Sequence, residues 1–409
     1  MVRALRPKYP HLVSFLLAIL MMSGLLVYGT FYAHSMEQKY IHAIAPLIIS
    51  QSSIGSALQQ VAFEQPDLLM VYGSSEMFVE NTPFLPSRFF QNYPTGFEVY
   101  AVARVNSTSL NIAQDLAAIG PELHGKRVVF SFTPSMFNEK EVSPAAYAGN
   151  FSLLHADALI FNQSLSYGTK QLAAQRMNEY PDTLKADPIL QFAVQQLICP
   201  CSYGPTLYVL AMPLGEINTW IIRLQDHWEV VNYIWNDLKL NHVVSRRRTR
   251  INWASDIKQG FQAEKIVSDN NHYGIEKYLW TDQYSKTLNQ PKKPGSEDFR
   301  FLWNLNHSKE WTDFELALQV LTEFGAKPLI LSRPIDGRVW SAMGISRLAR
   351  TAYYAKLQKT IAPYSFPIVD FENYDTDKYF SIDPSSHPGP EGSVYVDQTL
   401  DDFFHGNLH

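Results

Sequence analysis

The chain has 409 residues, of which 46% are hydrophobic and 13% aromatic, and this composition excludes an intrinsically disordered protein. Its 34 Lys and Arg against 39 Asp and Glu give a formal net charge of −5, which disfavours a protein whose main task is to bind nucleic acid. Two cysteines are too few for a disulfide-rich scaffold, an iron–sulfur site or a cysteine-built zinc finger, and a mean hydropathy slightly below zero disfavours a polytopic transporter.

The N-terminus carries a candidate membrane span. Residues Leu12 to Tyr32 contain no Asp, Glu, Lys or Arg, and 21 residues at 1.5 Å each span roughly 31 Å, about one hydrocarbon core. Arg3, Arg6 and Lys8 precede this run, so the positive-inside rule predicts a cytoplasmic N-terminus and an extracytoplasmic body. A cleaved signal peptide is the alternative, although its apolar region is normally only about 7–15 residues long. We therefore expect a single-pass anchor.

Five short apolar runs predict the strands of a sheet. Helical patterns at residues 108–119, Trp311–Phe324 and Ser346–Ile361 separate several of these runs. Strands that alternate with helices indicate an α/β fold, here a three-layer sandwich with a parallel sheet between two layers of helices. The predicted strands lie in Asp67–Gly73, Phe97–Ala103, Lys126–Phe132, Lys327–Arg333 and Phe366–Phe371.

The pattern changes between about residues 140 and 310. Strand-like runs are scarce there, and the apolar spacing is helical in Ala156–Asn162, Leu190–Ile198 and Trp220–Leu240. This predicts a largely helical insertion between the third and fourth strands, in which the aromatic-rich 220–235 segment is interpreted as helical core rather than as a groove for a membrane protein. The predicted division is an N-terminus with anchor (1–35), a first α/β part (36–140), the insertion (141–310) and a second α/β part (311–409).

A pair of serines follows the first predicted strand directly. The turn Gly73-Ser74-Ser75-Glu76 lies at the carboxyl end of that strand, the edge at which α/β sheets bind ligands. A serine there acts as a nucleophile if a base reaches its hydroxyl. Gly-Ser-Ser is also ordinary turn chemistry and a good helix N-cap, so this segment alone does not establish catalysis.

A histidine with a nearby carboxylate stands close to the C-terminus. In the segment Asp383-PSSHPGPEG, His387 comes four residues after Asp383 and is followed by Gly389 and Gly392, which permit a tight turn. A histidine so placed takes the proton of a serine while the aspartate fixes its tautomer. A proline-rich surface turn with an incidental histidine is the alternative. Because the serine and histidine segments stand at opposite ends of one α/β domain, together they favour catalysis.

These residues resemble the SGNH (GDSL-type) hydrolase superfamily, which places Gly-x-Ser after the first strand and Asp and His near the C-terminus. More narrowly, the chain resembles the DltD family, the membrane-anchored D-alanyl transfer proteins of teichoic-acid D-alanylation, over roughly residues 10–405. The motifs that carry this resemblance are Tyr72-GSSE, Ser131-FTPSMF, Lys327-PLILSRPIDG, the Tyr353–Tyr354 helix and Tyr379-FSIDPSSHPGPEG.

The resemblance implies a role for each matching residue. Ser75 takes the place of the serine of Gly-Asp-Ser as nucleophile, with Ser74 as the lesser candidate, His387 as general base and Asp383 as its orienting acid. The oxyanion donors implied are the backbone N–H of Ser75 together with Asn106 and Thr133. The implied substrate contacts are Ser74, Glu76 and Gly389.

Three positions depart from the family pattern. Three residues rather than two separate Asp383 from His387, Ser393 stands where a tryptophan tends to follow the last glycine, and Ser131-FTPSMF replaces Ser-Pro-x-Trp-Phe. The first departure bears on the role of Asp383 more than on that of His387. The other two are typical of a divergent branch whose acyl donor or acceptor differs.

The activity that the resemblance implies is transfer of D-alanine to a cell-envelope polymer through an alanyl-serine intermediate. The implied partners are the membrane, a D-alanyl carrier protein, a membrane-bound O-acyltransferase and an anionic polymer such as teichoic acid, with no nucleic acid and no metal or other cofactor. Two alternatives remain open. One is an esterase or thioesterase on the same triad, and the other is a non-catalytic assembly protein that recruits the carrier or the acyltransferase.

Two further motifs bear on other functions. Cys199-Pro-Cys201 has one residue between its cysteines, which strains a disulfide, so we expect a structural or free pair rather than a redox centre. The basic run Ser245–Arg250 matches polymer phosphates or anionic headgroups, although most such runs are solvated surface.

Overall fold

A computed structural model of the protein describes residues 9–47, 55–77, 82–139, 142–238 and 249–408. Its centre is a parallel five-stranded sheet in the order β2-β1-β3-β4-β5. All five predicted strands are confirmed, and so is the predicted α/β class. The strands are β1 (Leu68–Gly73), β2 (Glu98–Ala103), β3 (Arg127–Phe132), β4 (Lys327–Ser332) and β5 (Ile368–Val369).

Helices make up most of the remaining described chain. As far as the start of the long helix α10, they are α1 (Pro10–Ile44), α2 (Ser56–Glu64), α3 (Pro86–Asn92), α4 (Ser109–Ile119), α5 (Pro144–Gly149), α6 (Leu153–Phe161), α7 (Tyr167–Met177), α8 (Pro181–Leu184) and α9 (Pro188–Ile198). The others are α10 (Gly204–Asn236), α11 (Trp253–Ser268), α12 (Lys277–Leu279), α13 (Ser285–Leu288), α14 (Asp298–His307), α15 (Glu310–Glu323), α16 (Gly337–Ala342), α17 (Arg347–Ile361) and α18 (Pro390–His405).

The two faces of the sheet are buried in separate cores because side chains alternate along each strand. Met70 and Tyr72 of β1 point into the larger core, which α4, α10, α15 and α17 help to cover. Leu69 and Val71 point into the smaller core on the other face, together with residues of α3 and α18. Burial on both faces explains why the strands are continuous apolar runs. The arrangement is the expected three-layer sandwich.

Helix α1 is the described helix that is long and apolar enough to cross a membrane, which makes it a candidate anchor. Its residues 11–28 are exposed, whereas Ala33, Glu37 and Ile41 are fully buried against the body. The helix therefore divides into a free apolar half and a half that docks on the domain.

The side chain of Asp226 in α10 fixes the start of α2, the helix that leads into β1. Its Oδ1 accepts a hydrogen bond from the backbone N–H of Gly55 at 3.1 Å, and its Oδ2 accepts from the N–H of Ala57 at 2.8 Å and the hydroxyl of Ser56 at 2.7 Å. A carboxylate at this position satisfies N–H groups that have no partner within the helix and complements the helix dipole. The long helix thus holds the element that delivers β1.

The segment between β3 and β4 is helical, as expected. Its described residues, 142–238 and 249–310, contain no strand. The domain boundaries stay a prediction. Residues 245–248 of the basic run lie outside the described residues.

Two features of this segment go beyond the sequence reading. The interpretation of residues 220–235 as helical core is wrong in part: Asp226, Val230, Val231 and Ile234 are buried, but Trp220, Trp228 and Trp235 are exposed. Cys199 and Cys201 form a disulfide immediately before α10.

The contact between α10 and α6 generates a test of this packing. A Cβ built on Gly215 would overlap the ring of Phe161, which is only 3% exposed. We expect Gly215→Ala to lower the free energy of unfolding by about 1–3 kcal/mol, because overpacking outweighs the gain in helix propensity.

Denaturation of the full chain in detergent measures this effect. Gly149→Ala is the control, since a Cβ on Gly149 meets no atom within 4 Å. Equal stability of the two variants would contradict close packing at Gly215.

Candidate active site

The candidate site lies where the connections from the sheet diverge. From β1 the chain crosses to β2 on one side, whereas β3, β4 and β5 follow on the other side. A crevice at the carboxyl ends of the strands forms at such a switch point and is the usual ligand site of open α/β sheets. Ser74 and Ser75 follow the last residue of β1 directly, so the predicted serine turn lies at this point.

The turn after β1 is compact and depends on the absence of a side chain at Gly73. A Cβ there would lie 2.5 Å from Oε1 of Glu76 and 2.9 Å from Cγ of Met77. Glu76 Oε1 accepts a hydrogen bond from the backbone N–H of Ser74 at 3.0 Å, and a short 3-10 turn runs from Ser75 to Met77. Because the side chain of Glu76 folds back onto the backbone of Ser74, the chain turns sharply. Ser75 is left partly exposed at the sheet edge.

A second tight turn presents the histidine. Gly389 N–H donates to the carbonyl of Phe380 at 2.9 Å, and Ile382 N–H donates to the carbonyl of His387 at 2.9 Å, so the chain folds back on itself. Asp383 Oδ1 accepts from the N–H of Ser385 at 2.8 Å, an Asx turn inside this loop. These bonds fix the backbone on both sides of the imidazole.

Ser75, His387 and Asp383 form one chain of hydrogen bonds. Nε2 of His387 lies 2.9 Å from Oγ of Ser75, and its Nδ1 lies 2.6 Å from Oδ2 of Asp383. Because a carboxylate only accepts, Nδ1 carries the proton, and Nε2 of the neutral ring is then the acceptor for the serine hydroxyl. This is the arrangement in which a histidine takes a proton from a serine.

The surroundings of His387 set its basicity. Burial acts to lower the pKa of the imidazole, but the hydrogen bond and negative charge of Asp383, with a contribution from Glu76, outweigh it and raise the pKa above its ordinary value of 6.5. Arg333 opposes the carboxylates. Thus the ring is a stronger base than a free imidazole.

Arg333 is a residue near the site to which sequence reasoning assigned no role. It follows β4, is 1% exposed, and its Nη2 lies 3.8 Å from Sδ of Met77 at the end of the serine turn. Burial lowers its pKa to about 10, while Glu76 and Asp397 act in the opposite direction. Its charge therefore lies under the serine turn. An arginine after a strand is normally solvated, so the sequence carried no signal for this burial.

The extra residue between Asp383 and His387 is accommodated at Ser386. Its φ of 65° lies in the left-handed region, and its N–H donates to the carbonyl of Asp383 at 3.1 Å. Neither Gly389 nor Gly392 has a positive φ, so what these two glycines provide is room for close contacts. A Cβ on Gly389 would overlap the carboxylate of Glu264, and one on Gly392 would overlap the carbonyl of Phe380, so both glycines serve close packing at the start of α18.

The other predicted site residues are distributed around the serine turn. Asn106, on the loop after β2, is exposed with a φ of 61°. Thr133 follows β3, is buried, and its Oγ1 lies 2.8 Å from Oγ of Ser135. Both lie at the same sheet edge as Ser75, after the ends of the two strands that flank β1. Their roles as oxyanion donors stay a prediction.

The predicted substrate contacts are mostly covered. Ser74 is buried and its Oγ lies 3.3 Å from the carbonyl of Arg104, to which it donates. Glu76 is 1% exposed and bonded to the backbone of Ser74, and Gly389 is buried at the N-cap of α18. Trp340, which sequence reasoning missed, donates from Nε1 to the carbonyl of Pro384 at 2.9 Å and so supports the Asp383 loop.

In the described part of the chain, no group of three or more His, Cys, Asp or Glu side chains is placed to hold a metal ion.

Comparison with known proteins finds one family for this chain. The family model described as "DltD protein" matches residues 47–405. "Protein DltD" of Bacillus subtilis (strain 168) is 28% identical over 351 residues, which cover 86% of this chain and 86% of the relative. "Protein DltD" of Staphylococcus aureus (strain NCTC 8325 / PS 47) is 23% identical over 396 residues, which cover 97% of this chain and 95% of the relative.

The basicity of His387 generates a test with a serine-reactive fluorophosphonate. Since its pKa is raised above 6.5 and only the neutral ring accepts a proton, we expect the rate of Ser75 labelling to rise with pH through a midpoint above 6.5. Asp383→Asn removes the negative charge that raises this pKa and leaves at most a neutral hydrogen bond to Nδ1, so the midpoint is expected to move to lower pH. His387→Ala is expected to slow labelling by roughly 10²–10⁴-fold.

Mass spectrometry of the labelled peptide identifies the serine that reacts. Ser75→Ala is expected to abolish labelling, whereas the matched control Ser74→Ala is expected to retain it. A midpoint that does not move in Asp383→Asn would contradict the inferred role of Asp383.

Proposed function

This chain belongs to the DltD family, and from that premise we propose that it is a membrane-anchored serine acyltransferase that places D-alanine on a cell-envelope polymer. Membership of the family supports a role in D-alanylation of teichoic acid. The single observation that carries the catalytic part of the proposal is the hydrogen-bonded chain from Asp383 through His387 to Ser75, at 2.6 and 2.9 Å.

In the first half-reaction, Ser75 becomes acylated. Nε2 of His387 takes the hydroxyl proton while Oγ attacks the carbonyl carbon of an activated alanyl ester or thioester. The leaving alcohol or thiol receives that proton from the imidazolium, and an alanyl-serine ester remains. The backbone N–H of Ser75 and donors from the loops of Asn106 and Thr133 are proposed to stabilise the oxyanion.

In the second half-reaction, a hydroxyl of the polymer replaces the serine. His387 takes the proton of that hydroxyl, the resulting oxygen attacks the alanyl carbonyl, and the proton returns to Ser75 as the ester bond to serine breaks. If water enters instead, the same steps hydrolyse the intermediate. Whether the alanyl group passes to the polymer or to water therefore distinguishes a transferase from an esterase or thioesterase.

The partners proposed are those of the family: a D-alanyl carrier protein and a membrane-bound O-acyltransferase as the source of alanine, and an anionic polymer such as teichoic acid as the acceptor. The polymer would offer hydroxyl groups to Ser75 at the open edge of the sheet. We propose no metal or cofactor for the reaction.

The body is proposed to lie outside the cytoplasm. Three basic residues precede α1, which supports a cytoplasmic N-terminus. The disulfide between Cys199 and Cys201 supports an oxidising compartment for the body. A membrane-impermeant fluorophosphonate is therefore expected to label Ser75 in intact cells. Labelling that requires permeabilised cells would contradict this orientation.

Alanine esterified to the polymer tests the catalytic proposal in cells. Ser75→Ala is expected to lower the ester-linked alanine of the envelope to the level of cells that lack the protein, because the covalent intermediate cannot form. Ser74→Ala, with wild-type abundance in the membrane, is the control and is expected to retain most of it.

The result also distinguishes the alternatives. Full alanine content in Ser75→Ala cells would mean that the protein acts as a non-catalytic assembly factor. If purified protein releases alanine from an acyl thioester at the same rate with and without polymer, and no alanine reaches the polymer, hydrolysis is the activity.

A further inference from the structure

The long helix α10 has one face that is fixed to the body. Asp226 binds the start of α2, His227 Nδ1 lies 2.7 Å from Oε1 of Glu37 in α1, and Val230 and Ile234 are buried in the larger core. The close approach of Gly215 to Phe161 adds a second anchoring point about three turns earlier. The orientation of α10 on the body is thus set at two places along the helix.

The other face of α10 is exposed and apolar. At about 100° per residue, six large side chains fall within roughly 40° of one line along the helix. Leu210 is 68% exposed and Trp235 60%, so neither packs against the body. A polar edge with Gln225, Asn232 and Asn236 borders this surface on one side. The apolar face consists of Leu210, Leu214, Ile217, Ile221, Trp228 and Trp235.

This apolar face meets the candidate anchor at the end of its apolar run. A Cβ on Gly29 would lie 3.0 Å from Cζ2 of Trp228, and the ring centroids of Tyr32 and Trp235 are 6.3 Å apart. His227, the neighbour of Trp228, contacts Glu37 instead, which lies eight residues further along α1 than Gly29. Two adjacent residues of α10 therefore contact different parts of α1. Trp228 lies at the end of the apolar half of α1, and His227 contacts the half that docks on the body.

We propose that α10 lies on the surface of the membrane that α1 crosses, with its apolar face in contact with lipid. The contact with Gly29 and Tyr32 puts Trp228 and Trp235 at the level where the apolar run of α1 ends. Tryptophan is enriched at this depth, since its ring is apolar and its N–H remains near water. An amphipathic helix in this position buries its apolar face at the boundary of headgroups and acyl chains.

Continuity with α1 favours lipid over a protein as the occupant of this surface. The exposed side chains of α1 at residues 11–28 have the composition of a lipid-facing helix, and the apolar face of α10 begins where they end. A contiguous apolar surface of this kind on a water-exposed protein marks an interaction site. The inference rests on the anchor and on packing, and does not depend on the proposed acyl transfer.

Spin labels on single introduced cysteines test the proposal with the full chain in lipid nanodiscs. The native cysteines form a disulfide, so the new thiol takes the label. Ile221→Cys on the apolar face is expected to show a collision rate with oxygen several-fold higher, relative to a water-soluble nickel complex, than a label in water. The matched control is Ile266→Cys, an 84% exposed isoleucine on α11, which packs with α18 on the other side of the sheet.

Three outcomes decide the proposal. Preferential access of oxygen at Ile221→Cys and at Leu214→Cys, with preferential access of nickel at Ile266→Cys, supports it. Equal access of nickel at all three positions overturns it and leaves the apolar face as a docking surface for a protein. Protection from both reagents in nanodiscs that hold only this chain overturns it as well, because that would show contact between two copies. Labelling of Ser75 by the fluorophosphonate, or an unchanged melting curve, verifies that each variant is folded.

Discussion

The hydrogen bond between His387 and Ser75 joins two groups that are 312 residues apart in the chain. It forms because a parallel sheet brings the carboxyl ends of its strands to one edge, where the first strand delivers the serine and the C-terminal loop returns the histidine. The contact itself contributes little to stability. Its geometry depends on the whole order of the sheet, from the start of α2 held by Asp226 to the loop supported by Trp340.

The electrostatics of the site follow from burial as much as from the three linked side chains. Asp383 and Glu76 raise the pKa of His387 against the effect of burial, and Arg333 acts in the opposite sense from beneath the serine turn. A fully buried arginine close to two carboxylates is costly unless its surroundings compensate for the charge. The balance of these charges sets the basicity of His387. A change in any of these charges therefore changes the pKa of His387 while the side chain of Ser75 stays the same.

Local patterns along the chain predicted much of this protein. The five strands, the main helices and the candidate anchor follow from runs and periodicities within single segments, and the Gly-Ser-Ser and Asp–His segments follow from their places at strand ends and near the C-terminus. The altered spacing between Asp383 and His387 left the role of the aspartate open. The structure accommodates the additional residue through the positive φ of Ser386. Serine adopts this backbone conformation rarely, and no pattern in the sequence predicts it here.

The sequence by itself determined the class of fold, the apolar helix that is the candidate anchor and the positions of the serine and histidine segments, because each depends on residues that are neighbours in the chain. Only the tertiary structure decided which residues meet. In the folded chain, Arg333 is buried beside the serine turn, and Gly389 and Gly392 make close contacts that a Cβ would block. One face of α10 stays exposed beside the candidate anchor. Helical periodicity identifies an apolar face but not what covers it, since that depends on elements far away in the chain.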